Sequence, residues 1–146
     1  MQQSPIIRCD ESLDIVSLNK IARLRELANC ELGRSRICFH QADSDATHEM
    51  LIYLTRSTVI EVHQHINKHE TFICLYGRIK LFVYESNSMV AKNELLIGSY
   101  EDFLAGSVET FMYRLNDPIS HKHVVESDYA VVFEVTDGPF EPATLK

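Results

Sequence analysis

Three of the seven histidines in this 146-residue chain, together with one glutamate, fall within the eight positions of "HQHINKHE", residues 63–70. Imidazole nitrogens and carboxylate oxygens are the donors that borderline divalent ions take, so the cluster reads first as metal chemistry. Side chains on a strand alternate between faces. Val59, Glu61, His63 and His65 therefore share one face, and the two imidazoles stand close enough to grip one ion. Asn67 and Lys68 read as a reversal, after which Glu70 opens a returning strand and aims a carboxylate at the same point. Gly77 closes the next turn, where a residue without Cβ is wanted.

A second run, "HKH" at 121–123, offers further imidazoles. His121 and His123 share a parity, and one of them can supply a third nitrogen. Two imidazoles, one carboxylate and a further imidazole suit a single Fe, Mn, Zn, Ni, Co or Cu ion. Such a set leaves room for water or substrate on a larger ion, as a catalytic site does and a closed structural site does not. His-x-His-x₄-Glu followed by that glycine arises by chance in roughly 1 of 1000 chains of this composition, which makes coincidence the weaker explanation. Exposed strand histidines are nonetheless common; His69 suits a solvent-facing position, and His40 and His48 suit polar loops.

These residues need a scaffold, and everything beyond residue 34 reads as short strands. "MLIYLT" (50–55), "TVIEVHQH" (58–65), "TFICLY" (71–76), "IKLFVY" (79–84), "ELLIG" (94–98), "TFMYRL" (110–115), "HKHVVE" (121–126) and "YAVVFEV" (129–135) are rich in β-branched and aromatic residues. Turn signals such as "YGR", "ESNS", "NDP" and "DGP" separate them. The one helical period runs from Ser12 to Asn29, with Asp10 or Ser12 as its cap and Gly33 as a stop beyond it. The fold class expected is all-β, a jelly roll, sandwich or barrel with one N-terminal α-helix. Residues 1–33 form the helical segment and 34–146 the β domain of one globular unit.

Composition narrows the partners. The net charge is −7 with no cluster of Lys and Arg, so nucleic acid and anionic membranes are poor partners. No apolar run approaches the roughly 20 residues of a membrane span. The first residues lack the layout of a signal peptide, which makes the expected location cytoplasmic. Cys9, Cys30, Cys38 and Cys74 show no metal spacing and read as free thiols, with Cys74 packed in a core strand.

The pattern His63-Gln64-His65, Glu70, Gly77 resembles the first metal motif of the cupin superfamily, with Ser57 where a leading glycine is usual. The second cupin motif survives as Pro118, Ser120 in place of glycine, and His123. A longer similarity, from about Arg34 nearly to the end, is to the WbuC family of cupin-fold metalloproteins, associated with O-antigen and exopolysaccharide gene clusters. It rests on "RSRICFH" (34–40), "HEM" (48–50), "HQHINKHETF" (63–72), "GRIKLFVY" (77–84), "FMYRL" (111–115) and "FEVTDGPFEP" (133–142). The resemblance implies a cupin jelly roll (double-stranded β-helix) with the ion in the mouth of the barrel. Its last metal histidine, counted back from Glu134, is His121, whereas the shorter motif points to His123 as alternative or additional ligand. It also implies a pocket lined by Arg34, Arg36, His40, Tyr113 and Arg114, although Tyr113 and Arg114 take opposite faces of a regular strand.

Two functions follow as expectations. One is a metal-dependent enzyme on a small sugar or sugar-derived acid in surface-polysaccharide assembly, isomerase- or epimerase-like, or an oxygenase if the ion is iron. The other is a non-catalytic cupin in which the metal anchors a sugar or carboxylate ligand. An interaction protein without metal requires the histidine cluster to be accidental. Edge strands make a homodimer plausible.

Overall fold

The alternating runs pair into two sheets that face one another in the computed structural model, which describes residues 3–140 and 144–145. The elements are β1 (Ile6–Arg8), α1 (Leu18–Leu27), β2 (Arg34–Cys38), β3 (Thr47–Thr55), β4 (His63–Gln64), β5 (Glu70–Tyr76), β6 (Ile79–Tyr84), β7 (Ala91–Ile97), α2 (Tyr100–Leu104), β8 (Met112–Leu115), β9 (Ser120–Val125), β10 (Tyr129–Asp137) and β11 (Thr144–Leu145). Sheet one runs β1-β2-β3-β10-β5-β8, and sheet two runs β11-β4-β9-β6-β7. The two-sheet, mostly β sandwich with a short N-terminal helix is the fold class expected from the strand pattern. The last two residues of the "FEVTDGPFEP" run lie outside the described residues.

Alternation decides what fills the space between the sheets. Leu54, Phe72, Cys74, Ala130 and Val132 of sheet one meet Ile79, Leu81, Ile97 and Val125 of sheet two in the main core. Burial pushes the Cys74 thiol up to about 11, so it packs there as an inert apolar group. The opposite face of sheet one is covered by α1, whose Leu24 and Ala28 pack with Ile37, Leu51 and Tyr53. Leu24 is wholly buried and accepts a 2.6 Å hydrogen bond from the Ser35 hydroxyl through its carbonyl.

Local structure departs from the sequence expectation at four places. The helix starts at Leu18 with Ser17 as its cap, the hydroxyl accepting from the Lys20 N–H, rather than at Asp10 or Ser12. Ile15 and Val16, β-branched neighbours that suit a helix poorly, lie exposed ahead of it. The run 58–65 is strand only at His63–Gln64. Upstream of it, the Thr58 hydroxyl bonds to the Gly33 carbonyl and Arg34 bonds to the Val59 carbonyl, which holds this segment against the end of β2 instead of in a ladder. Ile6–Arg8 forms a parallel strand beside β2 that was not expected. A second short helix, α2, capped by Ser99, links β7 to β8.

Two turns position the site. Asn67 takes a φ of 57° where the chain reverses between β4 and β5. Gly77 sits at φ 85° between β5 and β6, and a Cβ there would lie 2.4 Å from the Tyr129 carbonyl oxygen. The glycine is required both by its backbone angle and by that approach.

Candidate metal centre

β4 pairs with β9 through a single pair of facing residues, His63 and His121. Their ring centroids are 4.5 Å apart. His65, just past the end of β4, brings its ring within 5.0 Å of His63 and 5.8 Å of His121. One ring nitrogen from each of the three lies within 4.8 Å of the others, the group of possible metal donors found among the described residues. Sheet one contributes Glu70, buried at the start of β5. Its Oε2 accepts from His65 Nε2 at 3.1 Å, and its Oε1 stands 3.9 Å from His121 Nε2.

The backbone sets which nitrogen of each ring is available. His63 Nδ1–H donates to the Glu61 carbonyl at 2.8 Å, and His121 Nδ1–H donates to the Ile119 carbonyl at 2.7 Å. Both rings thereby present an Nε2 lone pair to the cluster, the outer-shell arrangement that orients histidine ligands. His121 is wholly buried, and its Nε2 has no hydrogen-bond partner among the described residues. A buried polar atom left unmatched costs about 1–3 kcal/mol, and a cation shared with the other two imidazoles is what this position can accept. Burial lowers His63 to about 4, which keeps it neutral and able to ligate near pH 7. Burial alone would raise Glu70, but the His65 hydrogen bond and the surrounding imidazoles outweigh it and hold the carboxyl at about 2. Three imidazoles and a carboxylate fit one divalent ion.

His123 takes a different place from His121. Its ring stacks on Phe72, centroids 4.9 Å apart, and its Nε2 meets the Tyr113 hydroxyl at 2.8 Å. Tyr113 in turn donates to Glu70 Oε1 at 2.9 Å. An ionised carboxylate only accepts, so the Tyr113 proton points to Glu70 and His123 Nε2–H donates to the phenol oxygen. The chain Glu70–Tyr113–His123 sets His123 behind the cluster while His121 sits within it. Burial lowers His123 to about 3 and raises Tyr113 well above the usual phenol range, so neither group carries charge at neutral pH.

The remaining sequence candidates separate. Arg34 and Arg36 pair across β2 and β3 with Leu54 and Ile52, which puts them on the inner face of sheet one. Tyr113 is inside as well, whereas Arg114 is exposed on the opposite face, bonded to Asn116 and Thr71. His40 is apart from the cluster, stacked on His48 at 3.9 Å and accepting from the Glu49 N–H. His69 is half-exposed and paired with Asp137. Sequence reading missed Glu134 as a site residue. It shares the inner face with Ala130 and Val132 on β10, and burial, with Glu70 as the next cause, raises its carboxyl to about 8 against the opposing arginines.

Comparison with solved structures places this fold. KdgF from Halomonas sp. superposes with a TM-score of 0.55 at 12% identity, covering 77% of this chain and 86% of that one. A sugar phosphate isomerase from a cupin superfamily, from Silicibacter pomeroyi, gives 0.53 at 13% identity, with 76% and 64% covered. An oxalate oxidase in complex with the substrate analogue glycolate gives 0.52 at 8% identity, with 68% and 46% covered. These likenesses show a cupin-like fold. The present chain spans about half of the length of several solved chains it matches, 56% and 46% in two of them. No curated protein matches the sequence. The profile of a family described as Domain of unknown function (DUF6016) matches residues 19–96, a little over half of the chain.

Proposed function

The chain belongs to that DUF6016 family, and from the geometry of the centre we propose that it is a divalent-metal cupin acting on a small sugar or sugar-derived acid. The observation that carries the metal is the buried, unpartnered Nε2 of His121 beside the nitrogens of His63 and His65. His63, His65 and His121 would hold the ion, with Glu70 as the fourth donor. A divalent cation there supplies Lewis-acid polarisation of a ligand oxygen.

The chain's own groups supply the rest. Tyr113 fixes Glu70 and holds a proton at its hydroxyl between Glu70 Oε1 and His123 Nε2. Phe72 and the surrounding core exclude water from that side of the site. Isomerisation or epimerisation is the class this supports first, since it needs a polarised oxygen and a positioned proton carrier but no second substrate. A solved chain of the same fold is described as a sugar phosphate isomerase, which is consistent with testing that class first. The resemblance of segments 34–40, 63–72 and 111–115 to the WbuC family supports a setting in surface-polysaccharide biosynthesis.

Elemental analysis of untagged protein, wild type against His63→Ala, tests the metal. One divalent ion per chain, lost on substitution, is the expected result. Near-zero metal in both would end the proposal.

A further inference from the structure

Arg34 and Arg36 face inward on a chain with 21 acidic residues, yet neither forms an ion pair among the described residues. The arginines that do are Arg8, Arg56 and Arg78. Arg34 donates one 3.3 Å bond to the Val59 carbonyl. Arg36 donates to the Ser4 hydroxyl and, at 3.6 Å, to the Met50 sulfur, a weak acceptor. A guanidinium carries five N–H donors in a planar fork, so most of this capacity is unspent on the protein. Both side chains are half-buried, which makes leaving that fork unmatched unfavourable.

Glu134 lies between these arginines and the metal centre. In the register of sheet one it faces Met50 on one side and Phe72 on the other. Glu70 belongs to the row of facing residues on one side of it, and Arg36, in line with Ile52, Val132 and Cys74, to the row on the other. Its carboxyl receives no hydrogen bond from a described residue, while Arg34, Arg36 and Glu70 all act on it electrostatically. Glu70 and Arg36 are three strands and four residues apart, on the order of 20 Å between Cα atoms in a flat sheet. Long side chains on this shared face lean toward one another across the intervening row, and a small ligand has to bridge only the remainder.

We propose that Arg34, Arg36 and Glu134 form a second polar subsite that grips the carboxylate end of a small polyhydroxy acid, the other end of which reaches the His63–His65–His121 centre. The inference rests on the metal reading above and narrows its ligand from sugar or acid to acid. The guanidinium forks take the carboxylate, and Glu134 hydrogen-bonds hydroxyls along the carbon chain. Charge brought into this half-buried space is costly, which opposes a doubly charged phosphate and favours a singly charged end.

Calorimetric titration of metal-loaded protein with D-gluconate and with D-glucitol, the same skeleton without the charge, tests this. The expected result is gluconate binding at least about tenfold tighter than glucitol in the wild type. That preference should disappear in Arg34→Met/Arg36→Met at unchanged metal content, return in part with Arg36→Lys, and weaken with Glu134→Leu. Metal content reports that each variant is folded. Binding of neither probe, no preference for gluconate, or a preference that survives loss of both arginines would overturn the subsite. If the protein holds no metal but still prefers gluconate through the arginines, the metal reading falls and the subsite stands. Metal retained without the preference overturns the subsite and leaves the metal reading in place.

Discussion

His63 faces His121 directly across the short β4–β9 ladder, and each ring turns its Nδ1 onto a backbone carbonyl. The consequence is a buried His121 Nε2 with no hydrogen-bond partner among the described residues. His121→Leu removes that unmatched atom but strands the Ile119 carbonyl, so the two effects nearly cancel. Metal-free wild type and variant should agree in stability within about 1 kcal/mol. Added divalent metal should stabilise the wild type alone, by about 2.7 kcal/mol at a hundredfold excess over Kd. Thermal unfolding with and without the ion measures both; a variant still stabilised by metal would remove His121 from the donor set.

Tyr113 is the link between Glu70 and His123, and its loss leaves an acceptor and a donor unmatched in a buried place. Tyr113→Phe should destabilise the protein by about 1–3 kcal/mol with the fold unchanged. Chemical unfolding gives the number. No measurable change would mean that the hydroxyl bridges nothing of consequence.

Glu134 gives a pH signature. Its carboxyl stands at about 8 in the fold against an ordinary 4.5, so between those values the folded state binds the extra proton. The stability this adds is complete below pH 4.5 and is lost as pH rises through 8. Metal-free wild type should therefore lose roughly 2–4 kcal/mol relative to Glu134→Gln between pH 4.5 and 8. Parallel stability curves for the two proteins would show that Glu134 ionises normally.

Gly77 carries the turn that returns β6 beneath the site. With φ at 85° and the Tyr129 carbonyl oxygen 2.4 Å from where a Cβ would stand, Gly77→Ala should cost about 2–4 kcal/mol. Equilibrium unfolding checks this, and a change below about 0.5 kcal/mol would show that the turn relaxes freely.

The first half of the centre was legible because it is local. Two histidines of one parity, a reversal at Asn67 and Glu70 at the head of β5 are set within eight residues. Strand parity did not choose the third imidazole, because His121 and His123 share a face; the longer family resemblance pointed to His121, and the β4–β9 register, with Tyr113 bonded to His123, gives the two their separate places. Glu134 escaped notice because β10 is covered on both sides. Val131 packs toward α1 while Ala130 and Val132 fill the inter-sheet core, so the strand shows no polar face against which one inward charge stands out. The run 58–62 has strand composition, but the Thr58 hydroxyl and the Val59 carbonyl bond to Gly33 and Arg34, a long-range use that no local pattern announces. β1 is three residues long, too short for any period to show.

X-ray absorption at the edge of the ion that accompanies the purified protein tests the convergence of His63, His65, His121 and Glu70 most directly. Three imidazole nitrogens and one carboxylate oxygen, all at about 2.0–2.2 Å for an ion such as zinc, is the expected shell. A sulfur neighbour, a shell of water oxygens alone, or no ion at all would contradict it.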